Sequence, residues 1–375
     1  MQHDSLPPVQ PHHAHSYKKP TIWVRLRDWA RHHPRKTWFY AIAGVLALAA
    51  IAILITVILL PPKAPARLPV SSLKKPEPVV YYSPLTGRKV DSEAATKQAV
   101  TGIMIENSPD ARPQSGLKQA GIVYEAIAEG GITRFLALYQ EGKPALIGPV
   151  RSVRMYYVDW VAPYNASVAH IGGSKAALDE VRNGNYRDID QFFNAGYYWR
   201  ATDRYAPHNV YTSFEKLDAL NAVKGYTESS FTAWPRQDGK KAATPNATSV
   251  AINFSGALFN THYDYDAESN TYLRSIGGAA SNDREEGRLA PDVVVAMKVN
   301  MVRVLEDGYR ESIQTTGSGE AVIFQNGTAT TATWHKASRA DSIKFTGTDG
   351  KEVALNRGQT WIAAIPNGTG SVSWQ

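Results

Sequence analysis

The residues best suited to chemistry in this sequence lie in the segment HIGGSK at 170–175. An apolar run ends at His170, Gly172 and Gly173 allow a tight turn, and Ser174 can begin a helix. Strand, glycine turn and helix in this order often hold a phosphate or carboxylate, because the first amides of the helix point at the ligand. The segment has neither the Gly-x-x-x-x-Gly-Lys pattern of nucleotide-binding loops nor the Gly-x-Ser-x-Gly pattern of hydrolases. It predicts an anion site, and the alternative is that the glycines serve only close packing of strand against helix.

Two arginines form a second candidate anion site. Arg151 and Arg154 follow the pair Gly148-Pro149, and a helix starting there would place both arginines on one face near its first turn. Guanidinium groups and free helix amides both donate hydrogen bonds to an anion. The alternative is that the arginines pair with the acidic residues of the preceding strands, Glu106, Glu125 and Glu129.

A third polar segment carries Arg204, His208 and Asn209 in a loop restricted by Pro207. Loops rich in such side chains are more often sites than spacers. A histidine or aspartate here can act as a general base while arginines neutralise an anionic substrate. The nearby histidines and aspartates have no recognised metal-ligand spacing, so the sequence predicts neither a metal site nor a cofactor. The surrounding tyrosines and tryptophans fit core packing, with a sugar-stacking platform as the alternative.

We expect the three segments to line one concave, electropositive pocket, because segment ends of this kind meet at one edge of an α/β sheet. The predicted ligand-binding residues are Arg151, Arg154, His170, Gly172, Gly173, Ser174, Arg204, His208 and Asn209.

The elements that must position these residues alternate between strand and helix. Within residues 81–228, apolar strand-like runs are interrupted by helix-like runs such as 174–182 and 214–223. A polar stretch at 225–248 marks a domain boundary, and residues 245–375 read as short strands separated by turns. The predicted fold class is therefore α+β, with a mixed α/β domain at 81–228 followed by a smaller, mostly β domain at 245–375.

An apolar run at 38–60 carries no charge and is long enough to cross a bilayer as one helix. Seven Lys/Arg against two Asp give residues 1–37 a net charge of +5. This basic flank predicts a cytoplasmic tail before a single transmembrane signal anchor, and a cleaved signal peptide is the alternative. The proline-rich residues 61–80 predict an extended stalk that carries the bulk of the chain outside the cell membrane.

Composition limits the chemistry and the partners. The chain has no cysteine, which excludes disulfides, thiolate metal sites, cysteine nucleophiles and a lipid anchor on cysteine. Beyond residue 60 there are 34 Lys/Arg and 32 Asp/Glu, a net charge of only +2, so the sequence predicts no nucleic-acid partner. Residues 21–31, TIWVRLRDWAR, have an amphipathic pattern that suits the inner surface of the membrane.

Several motifs between Pro84 and Val223 resemble the YerB-like family of bacterial lipoprotein-like proteins. They are PLTG at 84–87, ARPQSGL at 111–117, VYEAIAEGGITRFLALYQ at 123–140, IGPVRSVRMYY at 147–157, AHIGGS at 169–174, DID at 188–190 and RYAPHNVYT at 204–212. The β-rich end, with APDVVVAM, TWHK and GQTWIAAIP, is similar to the C-terminal domain of that family. The resemblance implies an extracytoplasmic location and a two-domain layout, but no reaction and no catalytic residues. Members often carry a lipid-bearing cysteine, whose place the uncharged run takes here.

These observations together predict a membrane-anchored, extracytoplasmic protein of the bacterial cell envelope. Its expected partners are the lipid bilayer, through residues 38–60, and an anionic envelope ligand such as a glycan or a phosphate-bearing polymer. The alternative is an envelope hydrolase or transferase that acts on glycan or phosphodiester, so the sequence leaves open whether the protein is an enzyme.

Overall fold

The residues described by the computed structural model are 21–59, 61, 79–304 and 310–375. They divide into two compact units, one ending at Glu77 and one running from Pro78 to Gln375. We call the described part of the second unit the main unit.

Two helices form the first unit as described, α1 at Ile22–His32 and α2 at Pro34–Leu59. The 26 residues of α2 can cross a hydrocarbon core at a rise of about 1.5 Å per residue. The apolar window of α2 is wholly exposed, as expected for a helix that lipid surrounds. Leu60 and most of the predicted tail and stalk lie outside the described residues.

The helices of the main unit are short and the strands are many. The helices are α3 Glu93–Thr96, α4 Met155–Val161, α5 Lys175–Asn183 and α6 Phe214–Lys224, with 3-10 turns at Pro109–Ala111, Leu117–Gln119, Ala162–Tyr164 and Ala195–Tyr197. The strands up to residue 230 are β1 Tyr81–Tyr82, β2 Lys89–Val90, β3 Thr101–Glu106, β4 Ile122–Glu129, β5 Ile132–Tyr139, β6 Ser167–Ala169, β7 Arg187–Asp188, β8 Trp199–Arg200 and β9 Val210–Tyr211. The later strands are β10 Arg236–Gln237, β11 Ser249–Asn253, β12 Thr261–Asp266, β13 Thr271–Ile276, β14 Ala279–Ala280, β15 Asn282–Asp283, β16 Gly287–Arg288, β17 Val293–Val299, β18 Met301–Val304, β19 Arg310–Ile313, β20 Gly317–Gln325, β21 Thr328–Lys336, β22 Lys344–Gly347, β23 Leu355–Asn356, β24 Thr360–Pro366 and β25 Ser371–Trp374.

The largest described sheet runs in the order β22-β21-β20-β17-β24-β4-β5-β3-β6-β7. Strand β24 lies parallel between β17 and β4, with Val293 opposite Thr360 and Thr360 opposite Ile122. Every residue of β24 is buried, and its sequence TWIAAIP is apolar enough for a strand covered on both faces. A second sheet, in the order β14-β13-β12-β11-β25, covers part of the C-terminal half and shares a core with β17 and β24.

Alternate side chains of the central strands feed two cores on opposite faces of the sheet. On β3, Met104 packs with Tyr157 and Trp160 of α4, whereas Ile103 packs with Phe214 of α6. This follows from the two-residue side-chain period of a strand. The structure confirms the mixed α/β fold class with a strand-rich C-terminal region.

Strands from both predicted domains, 81–228 and 245–375, lie in the largest sheet. Pro78–Gln375 forms one compact unit, and the domain boundary within 225–248 stays a prediction. The sheet is shared because β24, from the end of the chain, inserts beside β4. Residues of 81–228 and 245–375 therefore bury their apolar strands against each other.

Three parallel strands bring polar residues to one edge of the sheet. β3 is parallel to β6, with Ile103 opposite Ala169, and β6 is parallel to β7, with Val168 opposite Asp188. The carboxyl ends of parallel strands form the usual ligand-binding edge of an open α/β sheet. Glu106 and His170 lie at these ends.

Candidate functional site

A buried carboxylate organises the strongest site in the described part of the chain. Glu106 ends β3, and its side chain is 5 % exposed. Its Oε1 lies 3.0 Å from His208 Nδ1, 3.0 Å from Ser108 Oγ and 3.2 Å from Arg151 Nε. Its Oε2 is buried without a hydrogen-bond partner among the residues described. One carboxylate thus fixes a histidine and an arginine that are distant in sequence.

The contact with Glu106 sets the direction of the His208 ring. Because Nδ1 faces the carboxylate, it is the nitrogen that donates, and Nε2 is left for another partner. Nε2 lies 3.9 Å from Asp110 Oδ2, and the side chain is 22 % exposed. Ser108 meets the same ring nitrogen as Glu106, at 3.2 Å. A Ser–His–acid catalytic triad needs the serine and the acid on opposite nitrogens of the histidine ring. Ser108, His208 and Glu106 therefore do not form a triad.

Arg151 presents free hydrogen-bond donors beside Glu106. Its backbone is held on both sides, since its amide donates to Met104 O at 2.9 Å and its carbonyl accepts from Ile171 N at 3.1 Å. Its side chain is 25 % exposed. Within the described residues its guanidinium makes the ion pair with Glu106 but no hydrogen bond. A fixed, partly exposed arginine with free donors is suited to an anionic group.

His208 also lines an open cleft of about 470 Å³. The lining residues are Asp110, Asp203, Arg204, Tyr205, His208 and Arg284. Arg204 donates to the carbonyls of Asp110 and Pro113 at 2.8 and 2.6 Å, which fixes the cleft wall. Arg284 pairs with Asp203 at 2.5 Å. The lining therefore carries both signs of charge and is less electropositive than the sequence predicts.

His170 lies at the end of the neighbouring strand, in a separate hydrogen-bonded cluster. It is fully buried, with Nε2 at 3.0 Å from Asp188 Oδ1 and Nδ1 at 2.8 Å from Gly172 O. Asp190 is buried too and pairs with Arg182 at 2.7 Å. The three ligand atoms of His170, Asp188 and Asp190 lie within 4.8 Å of one another. Both carboxylates already accept protein N–H groups, so hydrogen bonding within the protein accounts for this cluster.

The glycine turn after His170 serves packing in part. Gly172 has a φ of +66°, a backbone conformation that glycine adopts readily. A Cβ on Gly173 would lie 2.7 Å from Val153 Cγ1. Ser174 occupies the N-cap position of α5 without a side-chain cap bond, and its amide donates to Val153 O. Close packing, the alternative stated for these glycines, explains Gly173.

Arg154 is bonded within the fold, contrary to the shared-face prediction. Helix α4 begins only at Met155 and Arg154 is its N-cap residue, so Arg151 precedes the helix. Arg154 Nη2 bonds Glu129 Oε2 at 2.6 Å, and Arg134 bonds the same carboxylate at 2.5 Å. Burial raises the pKa of Glu129, but the two arginines together lower it below its usual value.

Asn209 likewise braces its own loop. Its Oδ1 accepts from Arg200 at 2.8 Å and its Nδ2 donates to Ala201 O at 3.2 Å. Glu106 and Arg284 are absent from the ligand-binding prediction, as are Asp110, Asp203 and Tyr205 of the cleft lining. Glu106 had a usable signal, a carboxylate at the end of a buried strand, whereas Arg284 comes from the C-terminal half and had none.

The chain belongs to a family of proteins of unknown function whose N-terminal and C-terminal domain models both match it. The family models are described as "Protein of unknown function (DUF3048) N-terminal domain", which matches residues 85–227, and its C-terminal domain, which matches residues 250–362. The chain is 32 % identical over 291 residues to the Bacillus subtilis (strain 168) protein "Putative lipoprotein YerB", covering 76 % of this chain and 86 % of that protein.

The crystal structure of YerB from Bacillus subtilis has the same fold. It superposes with a TM-score of 0.70 at 30 % identity and covers 78 % of this chain and 99 % of that chain. The resemblance to the YerB-like family is thereby confirmed. With the apolar helix α2, the membership fits a membrane-anchored, extracytoplasmic protein.

Proposed function

We propose that this protein is a single-pass membrane protein whose main unit binds an anionic ligand of the cell envelope. The net charge of +5 on residues 1–37 supports a cytoplasmic N-terminus by the positive-inside rule. The main unit then lies outside, at the end of the proline-rich segment 61–80. Its ligand is a glycan or a phosphate-bearing polymer of the envelope.

The observation that carries the binding proposal is the shared contact of Arg151 and His208 with Glu106. Glu106 holds both side chains in place before a ligand arrives, so less side-chain entropy is lost on binding. Arg151 keeps its terminal donors, and His208 directs Nε2 toward the cleft. A ligand with several anionic oxygens can accept hydrogen bonds from both.

The size and charge of the cleft support an oligomeric, partly neutral ligand. A volume of about 470 Å³ is within the range of roughly 300–1,000 Å³ found for small-ligand sites. The carboxylates of Asp110 and Asp203 on the wall suit hydroxyl groups, which donate to them. A sugar unit next to a phosphate or carboxylate matches this combination better than a bare anion.

A binding measurement tests the proposal on the full chain in detergent. The probes are soluble cell-wall fragments, either intact or stripped of phosphate-bearing polymer. Arg151→Gln should weaken binding of intact fragments about tenfold or more, the usual scale for a lost charged hydrogen bond. Arg303→Gln removes the same charge from a side chain that is 61 % exposed and serves as the control. Equal affinity of the two variants would contradict the proposed site.

Topology requires its own measurement. Protease added to intact spheroplasts should digest the main unit and leave the helix α2 with the N-terminal tail. Protection of the main unit would reverse the proposed orientation, whatever the result of the binding experiment.

The enzymatic alternative rests on the Glu106–His208 pair. A carboxylate at Nδ1 orients the imidazole so that Nε2 can take a proton from water or a hydroxyl. The class of reaction would be hydrolysis or transfer on glycan or phosphodiester. Release of small fragments from cell-wall material, lost in His208→Gln but not in Arg303→Gln, would favour catalysis over binding alone.

A further inference from the structure

Helix α1 carries a second surface that the main unit's site does not use. On its apolar side lie Ile22, Leu26 and Trp29, and these side chains are exposed in the described structure. Together with Arg25 and Tyr40 they bound an open hollow of about 530 Å³. Helical spacing places Ile22, Leu26 and Trp29 on one face, while Arg27 and Arg31 project from another.

The chain bends sharply between α1 and α2. In one straight helix, Trp29 and Tyr40 would lie about 16 Å apart along the axis, at roughly 1.5 Å per residue. Their ring centroids are 5.4 Å apart. His33 has a non-helical φ of −135° and ψ of 60°, and Pro34 begins the next helix. Proline lacks a backbone N–H donor and is favoured at the first position of a helix. Pro34 therefore accounts for the bend between α1 and α2.

The bend sets the apolar side of α1 beside the aromatic end of α2. Trp38, Phe39 and Tyr40 open the apolar run of α2, and such aromatic residues prefer the level of the lipid headgroups. Since α2 spans the bilayer, α1 leaves it at the depth of the membrane interface. At that depth an apolar face can enter the acyl boundary while cationic side chains reach the headgroups.

We propose that α1 is an interfacial helix that binds the anionic headgroups of the membrane surface. Its occupant is the lipid bilayer itself, because the basic residues Arg25, Arg27 and Arg31 outnumber the single acidic residue of the helix, Asp28. The apolar surface that water would otherwise meet is then covered by acyl chains. The proposal rests on the proposed membrane anchor α2, and on its orientation only for the choice of leaflet.

The absence of cysteine makes a direct test possible on the full chain. A single nitroxide label is attached at Leu26→Cys on the apolar face or at Val24→Cys on the opposite face. Each variant is reconstituted in phosphatidylcholine vesicles with or without phosphatidylglycerol. Collision rates with oxygen, which enriches in lipid, and with a nickel chelate, which stays in water, report the depth of each label.

With phosphatidylglycerol, the label at Leu26→Cys should collide more often with oxygen. The label at Val24→Cys should collide more often with the nickel chelate. Each basic residue near an anionic surface strengthens membrane binding by roughly fivefold. Replacing Arg27 and Arg31 with Gln should therefore weaken binding of α1 to the membrane surface by roughly 25-fold. The Leu26→Cys label should then move into water. A label at Leu48→Cys, inside α2, should stay in lipid in every sample and confirms insertion.

Three results would overturn the proposal. A nickel-accessible Leu26→Cys label in every vesicle would show that α1 does not enter the interface. If the Leu26→Cys label lies at the same depth with and without phosphatidylglycerol, and the Gln replacements do not change that depth, α1 does not recognise anionic headgroups. Protection of both labels from both reagents would mean that α1 packs against protein, such as a second copy of this chain.

Discussion

A buried ion pair joins the two regions that the sequence divides, and its removal should destabilise both. Arg274 on β13 bonds Glu125 on β4 at 2.8 Å, with side chains 1 % and 0 % exposed. The same carboxylate accepts from Trp361 Nε1 at 3.0 Å, and the guanidinium lies 4.6 Å from the Trp361 ring. Burial alone would lower the pKa of Arg274, but the Glu125 carboxylate raises it above its usual value.

The perturbation is Arg274→Met, which keeps the side-chain volume and removes the charge. Glu125 would then be left buried without its cation. Breaking a buried pair in this way costs about 3–5 kcal/mol. A domain of this size loses roughly 2–4 °C of melting temperature per kcal/mol, so the transition should fall by roughly 10 °C. Adding Glu125→Gln should recover about 1–3 kcal/mol, because paired residues are not additive.

Hydrogen exchange read by mass spectrometry on the full chain distinguishes the outcomes. If the main unit is one cooperative body, peptides from β5 and from β20 should lose protection together in Arg274→Met. Loss confined to β20 would mean that the C-terminal region opens alone. A double variant as unstable as the sum of the single variants would refute the pairing energy assigned to Glu125 and Arg274.

Three further outcomes are expected from thermal or urea unfolding. Arg154→Ala should lower the free energy of unfolding by about 3 kcal/mol, because Glu129 loses a buried ion-pair partner. Unchanged stability would mean that Arg154 is free to bind a ligand. Because the folded pKa of Glu129 is lowered, its contribution is present above its unfolded pKa and is lost as pH falls through the folded value. Glu129→Gln should therefore flatten the acid limb of the stability profile. Burial lowers the pKa of Lys336 to about 8. The stability of the wild type should therefore rise relative to that of Lys336→Met between about pH 8 and 10.5. A fall in relative stability over that range would contradict the lowered pKa.

Local patterns predicted the elements well, because their causes lie within a few residues. Ser213 caps α6 by accepting from Lys216 N, as its residue type and position suggest. The helix predicted over 174–182 is found at Lys175–Asn183. The apolar run of 38–60 forms most of α2. Strand β24 was also visible as a strand, but nothing local to TWIAAIP indicates that it inserts beside β4.

Long-range contacts explain what the sequence could not predict at the site. The spacing of Arg151 and Arg154 is compatible with a shared helix face, yet the half-buried Glu129 pairs with Arg154 within the fold. Arg151 stays partly exposed because its partner, Glu106, ends a strand at the sheet edge. The difference between the two arginines is set by which carboxylate the fold brings near. The expectation that all nine residues bind ligand stays a prediction.

The cleft depends on the C-terminal region as much as on the segment that holds Glu106. Arg284 N donates to Gln114 O at 2.7 Å and Asp283 accepts from Lys118 N at 3.2 Å, which docks the 283–284 turn against the first region. That docking places the Arg284 side chain beside Asp203 on the cleft wall. Without β13 and this turn, the cleft would lose a wall and Glu125 would lose its cation. If the main unit binds a ligand as we propose, the region needed for recognition is therefore the whole main unit, and the shared sheet has a functional as well as a structural reason.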